Sequence, residues 1–230
     1  MDELWVCQLG LTAYPAAVEL QRRLRAARQD ERLPDVMLLL EHPPVYTRGR
    51  RSEAGELPFG EDWYRDRGIE ILDTDRGGRL TYHGPGQLVG YPIMRMDDVI
   101  GYLRTMEEAI VAALAAEGIA AGPREGLTGV WVEDRKIASI GVHVSRGVTT
   151  HGFAVNVEND LEPFSWVVPC GLEGVSMTSV ARETGSGRGL ACFRRRMAHE
   201  FARAHHRRQR LVSLARLESS ISPALAGRVP

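Results

Sequence analysis

Residues 76–93 read Arg76-Gly77-Gly78-Arg79-Leu80-Thr81-Tyr82-His83-Gly84-Pro85-Gly86-Gln87-Leu88-Val89-Gly90-Tyr91-Pro92-Ile93. The pattern predicts two strands around a Gly84-Pro85-Gly86 turn. That turn alone accounts for a hairpin. It leaves Gly77-Gly78 unexplained, at the entry to the short run that carries His83. Glycine takes positive φ freely and lets a ligand come close to the main chain. Two readings of His83 stand at this point, a satisfied structural histidine and a site residue.

The rest of the chain mixes strands and helices. Residues 4–10 alternate as a strand. Pro15 opens an amphipathic helix that ends near Asp30. The apolar run 36–40 reads as a buried strand, stopped by Glu41-His42-Pro43-Pro44. Residues 46–60 read as a surface loop, in which Tyr46-Thr47-Arg48-Gly49-Arg50-Arg51 either binds an anion or is simply solvated. A short helix near 63–67 and a strand at 69–72 follow. Asp97 or Asp98 caps a helix with Val99, Leu103, Met106, Ile110 and Leu114 along its buried face. Strands at 129–133, 136–144 and 148–157 make an antiparallel meander. Residues 190–210 form a basic helix whose arginines suit either an acidic partner or plain solvent. The order predicts one α/β (α+β) domain over 1–217, with 218–230 a fraying tail.

The 230 residues are 43% hydrophobic and 26% charged, enough for one buried core. A net charge of -1 gives no field that would draw nucleic acid. No apolar run has membrane-spanning length and the acidic N-terminus is no signal peptide, so a cytoplasmic protein is expected. Cys7, Cys170 and Cys192 are widely spaced, with no CxxC. Neither a disulfide framework nor a metal site is indicated.

Lys136, in Asp134-Arg135-Lys136-Ile137-Ala138-Ser139-Ile140-Gly141, is the only lysine among 29 lysines and arginines. Arginine holds its proton at any working pH, whereas a desolvated lysine can release one. A lone lysine in an arginine-writing chain is thus a candidate proton carrier. Alternation places it with Ala138 and Ile140 on one strand face. Cys170 stands on a Pro169-Cys170-Gly171 turn, outside any regular element, where its own and the next N–H can point at a substrate oxygen. Cys7 and Cys192 sit in strand and helix patterns. An ammonium near Cys170 would store it as thiolate, able to attack an acyl carbonyl and to form a covalent intermediate. Lysine could then take the proton of an incoming nucleophile, which arginine could not. Donors at Cys170-Gly171, with help from His83, could hold the oxyanion.

The run from Arg76 to Val89, the Lys136-Ile137-Ala138-Ser139-Ile140-Gly141 strand and Pro169-Cys170-Gly171 closely resemble the lipoate-biosynthesis octanoyltransferases. Glu41-His42-Pro43-Pro44-Val45-Tyr46-Thr47 and Thr178-Ser179-Val180 also look like that family. The resemblance implies the fold of biotin and lipoate protein ligases, with a mixed main sheet and a smaller sheet. It implies transfer of an octanoyl group from the phosphopantetheine of acyl carrier protein to a lysine of lipoyl domains. The acceptors it implies are 2-oxoacid dehydrogenases and the glycine cleavage H protein. No further cofactor, no metal, no nucleic acid and no membrane is implied, and the protein is expected as a monomer. Cys170 matches the nucleophile and Lys136 the lysine that lowers its pKa. Arg76, Gly77, Gly78, Arg79, Leu80, Thr81, Tyr82, His83, Ser139, Ile140, Gly141, Gly152, Phe153 and Ala154 match segments lining the acyl pocket. Three other readings remain open: an ATP-dependent lipoate or biotin ligase, a non-catalytic acyl-carrier binding module, and a cysteine hydrolase.

Overall fold

The computed structural model describes residues 2–167, 175–185 and 189–221. In chain order the elements are β1 (Glu3–Leu11), α1 (Tyr14–Gln29), β2 (Asp35–Glu41), β3 (Val45–Arg48), α2 (Glu61–Arg65), β4 (Glu70–Asp73), β5 (Thr81–His83), β6 (Gln87–Ile93) and α3 (Val99–Ala115). There follow β7 (Gly122–Arg124), β8 (Leu127–Val132), β9 (Arg135–Ser145), β10 (Val148–Asn156), a 3-10 turn (Glu162–Trp166), α4 (Val180–Thr184), α5 (Leu190–Ala204), β11 (Arg208–Leu211) and α6 (Leu214–Ile221). An eight-stranded sheet runs β11-β1-β2-β6-β10-β9-β8-β7, and a second sheet runs β4-β3-β5. β1 lies parallel to β11 and β2, and the other pairs of the large sheet are antiparallel. The large sheet is therefore mixed, as the sequence suggests.

Both faces of the large sheet are covered, which is why β2 is apolar without interruption. Met37 and Leu39 face a core completed by Met106 and Ile110 of α3 and Phe193 and Phe201 of α5. Val36, Leu38 and Leu40 face the opposite core, with Ala17 and Leu24 of α1 and Leu217 of α6. A third cluster, around Tyr46, Tyr64, Tyr82 and Phe164, fills the space beneath the small sheet. Asp98 caps α3 by accepting the Ile100 N–H at 3.0 Å.

Several expectations change. β5 and β6 are not hairpin partners: β5 pairs with β3, β6 with β2 and β10. The Gly84-Pro85-Gly86 turn hands the chain from one sheet to the other, because tertiary pairing, not the turn, selects the partner. Residues 45–48 form a strand with Tyr46 and Thr47 fully buried, not a loop, and Arg48 pairs with Glu61. Val99 is exposed, and Tyr102 takes its expected place in the core. The basic helix ends at Ala204, and the next stretch joins the sheet beside β1. Of the arginines in this segment, Arg194 pairs with Glu41, Arg196 with Glu117 and Arg207 with Asp35, whereas Arg195, Arg203, Arg208 and Arg210 stay exposed. Of the tail expected from 218, residues 218–221 continue α6, on which Leu217 and Ile221 are both buried, and residues 222–230 lie outside the described residues.

Candidate active site

A pocket opens where the glycine-rich segment 76–80 crosses β9 and β10. Gly77 donates its N–H to the Val142 carbonyl at 2.9 Å. A Cβ on Gly141 would stand 2.7 Å from the Gly77 carbonyl oxygen, so only glycine permits this approach. Arg76 is buried and ties the segment to β3, donating to Thr47 Oγ1 at 2.8 Å and to the Thr47 carbonyl. The backbone of the next loop closes over it, with Arg50 N–H on the Arg76 carbonyl and Arg51 N–H on the Gly78 carbonyl, each at 3.0 Å.

Most of the expected pocket residues meet here. Arg76, Gly78, Arg79, Leu80, Thr81, His83, Lys136, Ser139, Ile140, Gly141, Gly152, Phe153 and Ala154 line one pocket of about 510 Å³, its open mouth included. Gly77 acts through its backbone. Tyr82 turns away, since neighbours on a strand face opposite sides; its ring packs 5.4 Å from Tyr46 and 5.5 Å from Phe164. Ala138, expected on the face of Lys136, lies in the core instead. A bulge displaces the alternation: Trp131 pairs with Lys136 but Val130 with Ala138.

Lys136 is 8% exposed. Its stem runs forward along β9. A Cβ on Gly129 would meet Lys136 Cε at 2.8 Å and the Ala138 carbonyl at 2.6 Å. Gly129 is held there by buried Glu107, which accepts its N–H at 3.0 Å. The Lys136 ammonium lies 5.3 Å from the centroid of the Trp131 ring, within cation–π range. Cys170 and Gly171 lie outside the described residues. Beyond them the chain is bonded to the lysine's own backbone: Lys136 N–H donates to the Ser176 carbonyl and Thr178 N–H to the Lys136 carbonyl, both at 2.9 Å.

Sequence reasoning missed Tyr14, Tyr91 and His151, which also line the pocket. They adjoin His42 and His83 in a buried cluster. Tyr14 stacks on His83 at 6.0 Å and leans on His42 at 5.0 Å, and His42 Nε2 is 2.8 Å from the Tyr91 hydroxyl. These residues come from four elements and the loop after β2, so no local spacing announces them. Burial drives their titration. It pushes His42 down to about 4, His83 well below the usual imidazole range and the Tyr14 phenol up to about 12.

His83 has a fixed role in this cluster. Gln87 Nε2 donates to the Tyr82 carbonyl at 3.2 Å and to Asn156 Oδ1 at 2.9 Å. Gln87 Oε1 is therefore the atom facing His83 Nδ1, 2.7 Å away, and Nδ1 carries the proton. Neutral His83 thus offers Nε2 as an acceptor. The chain of bonds continues through Asn156 Nδ2 to the Thr178 carbonyl at 3.1 Å, and so to the stretch beside Lys136. Among the described residues no His, Cys, Asp and Glu group is arranged to hold a metal ion.

The pocket thus brings together the Lys136 ammonium, an apolar surface of Leu80, Ile140 and Phe153, and a group of tyrosines and histidines beside the buried Arg76 guanidinium. Residues 13–202 match the family model of the lipoyl protein ligase A/B catalytic domain. The chain belongs to that family. Octanoyltransferases are among its relatives: one from Rubrobacter xylanophilus is 47% identical over 196 residues, 84% of this chain and 89% of the relative. Another, from Solibacter usitatus, is 52% identical over 169 residues, 72% of this chain and 77% of the relative. Solved structures share the fold. A lipoate-protein ligase A bound with ATP superposes with a TM-score of 0.77 at 19% identity, covering 95% of this chain and 92% of that one. A bi-partite lipoate protein ligase from Thermoplasma acidophilum gives 0.76 at 21% identity, covering 96% and 91%. The family match runs from the edge of α1 into α5, so β1, β11 and α6 flank it.

Proposed function

We propose that the chain is an octanoyltransferase. It takes the octanoyl group from acyl carrier protein, holds it as a thioester on Cys170 and passes it to the acceptor lysine of lipoyl domains. Those of 2-oxoacid dehydrogenases and the glycine cleavage H protein are the acceptors in view. Kinship with octanoyltransferases supports lipoyl-related acyl transfer. The observation that carries the finer reading is that the only lysine lines a pocket with Leu80, Ile140 and Phe153, and that its backbone is bonded to the stretch following Cys170. Five Cα-to-Cα steps, at most about 18 Å, separate Cys170 from Val175.

The Cys170 thiolate, stabilised by the Lys136 ammonium, attacks the acyl carbonyl carbon. The bond to the carrier sulfur breaks, and the carrier thiolate takes a proton from Lys136. The acceptor then attacks as a free amine, neutral Lys136 takes its proton, and Cys170 leaves as thiolate. The lysine ends as it began. N–H groups at Cys170 and Gly171 are assigned to the oxyanion. A thioester arrives already activated, so the reaction draws on no further cofactor or metal. It also needs neither membrane nor nucleic acid, and one chain in the cytoplasm supplies every residue it uses.

The test is octanoyl transfer from carrier protein to a lipoyl domain without ATP. Cys170→Ser should abolish it, and Lys136→Arg should lower it about 100-fold or more. Pyrophosphate release with free octanoate, together with normal activity in Cys170→Ser, would establish the ATP-dependent ligase instead.

A further inference from the structure

His151 lines the acyl pocket, an outer cleft and a small cavity against α1. On one side it closes the acyl pocket, beside Tyr14 and Tyr91. On the other it lines an outer cleft with Val18, Arg22, Asp75 and His143. Its side chain is therefore shared by the walls of the pocket and of the cleft. His151 Nε2 donates to Asp75 Oδ1 at 2.7 Å, and its Nδ1 is 3.5 Å from the Tyr14 hydroxyl. Asp75 is 47% exposed and belongs to the rim of the cleft, not to the core.

The backbone is bent for this placement. His151 has φ +58° in the middle of β10, where a side chain of this size is strained. Buried Gln21 holds the bend, accepting the His151 N–H at 2.7 Å. Strand order shows where the wall stands relative to the chemistry. His151 pairs with Val142 on β9, and the Lys136 stem extends to the level of Ala138. From Ala138 to Val142 is four residues, about 13 Å of strand. That span holds an extended octanoyl chain whose carbonyl lies at the lysine.

We infer that His151, latched by Asp75, is the gate that ends the acyl pocket and sets its chain-length limit. This inference rests on the octanoyltransferase reading. With the gate open, the end of a longer chain would extend past residue 151 toward the outer cleft instead of meeting a wall. Glycine at 151 would accept the positive φ at no cost, so His151→Gly removes the wall and spares the strand. Asp75→Ala releases the latch from an exposed position and leaves the imidazole present.

Both variants and the parent would be compared on octanoyl-, decanoyl-, dodecanoyl- and tetradecanoyl-carrier protein, scoring cysteine acylation by intact mass. Binding of the matching free fatty acids would be measured by calorimetry. The parent should reject dodecanoyl and longer groups. His151→Gly should raise dodecanoyl relative to octanoyl by about tenfold or more, and Asp75→Ala should move the ratio the same way by less. An unchanged ratio in both variants, or in Asp75→Ala alone if His151→Gly fails to fold, overturns the gate. So does a parent that takes long and short chains alike. A parent that binds octanoate but acylates no cysteine would sink the transferase reading, and the fatty-acid profiles would still decide the gate.

Discussion

Lys136 stood out in the sequence because it is the lone lysine of an arginine-rich chain. Gly129, which makes room for it, did not. Its φ is +126°, and a Cβ there would press on Lys136 Cε at 2.8 Å. Nothing in Thr128-Gly129-Val130 hints at this, because the bulge that brings Gly129 over the lysine arises only when β8 and β9 pair. Gly129→Ala should therefore displace the ammonium. Transfer should fall on the order of 100-fold, as a misplacement near 1 Å commonly does. Stability in urea should drop by more than about 1 kcal/mol. Full activity in that variant would mean that the lysine's position is not critical. His83 carries the same lesson. Its place beside a glycine turn was visible, but its protonation follows from Gln87 and Asn156, which no local pattern joins to it.

At the scale of elements, periodicity served wherever one face is buried. The stripe of α1, the continuous run of β2 and the meander β8-β9-β10 all appear as the sequence has them. Pairing partners were not legible. The Gly84-Pro85-Gly86 turn looks like a hairpin, yet β5 and β6 enter different sheets. Most of the pocket lining was legible because glycines mark where backbones touch; its tyrosine and histidine wall was not, being assembled from distant strands. The contact of segment 76–80 with β9 can be tested at Gly141, where a methyl group would stand 2.7 Å from the Gly77 carbonyl. Gly141→Ala should raise KM for the acyl donor severalfold and lower the melting temperature, because the Gly77 backbone must shift, and steady-state kinetics with calorimetry would check it. Leu39, fully buried between the sheet and α3, should cost about 2–5 kcal/mol as Leu39→Ala, read from urea unfolding.

Across the whole molecule, the buried histidines govern the response to acid. His42 is fully buried and holds its proton only below about 4, against an ordinary value of 6.5. The unfolded chain then binds more protons than the folded one between those values, so stability rises with pH across that window. His42 alone contributes roughly 3 kcal/mol that is present above pH 6.5 and lost as pH falls toward 4. His83, His151 and His205 are lowered chiefly by burial and act in the same direction. Urea midpoints should fall steadily from pH 7 to pH 4.5, and His42→Gln should flatten the slope even if it lowers the plateau. A flat midpoint across this range would mean that these side chains are protonated in the fold.

The proposed function requires Cys170 to carry the acyl group between two other proteins, and intact-protein mass spectrometry tests that most directly. Incubated with octanoyl-acyl carrier protein alone, the enzyme should gain one octanoyl increment, mapped to Cys170. Adding lipoyl domain should erase the increment and move it to a lysine of the domain. An enzyme that stays unmodified while the domain is acylated, or an adduct on another residue that the domain discharges, would contradict the account.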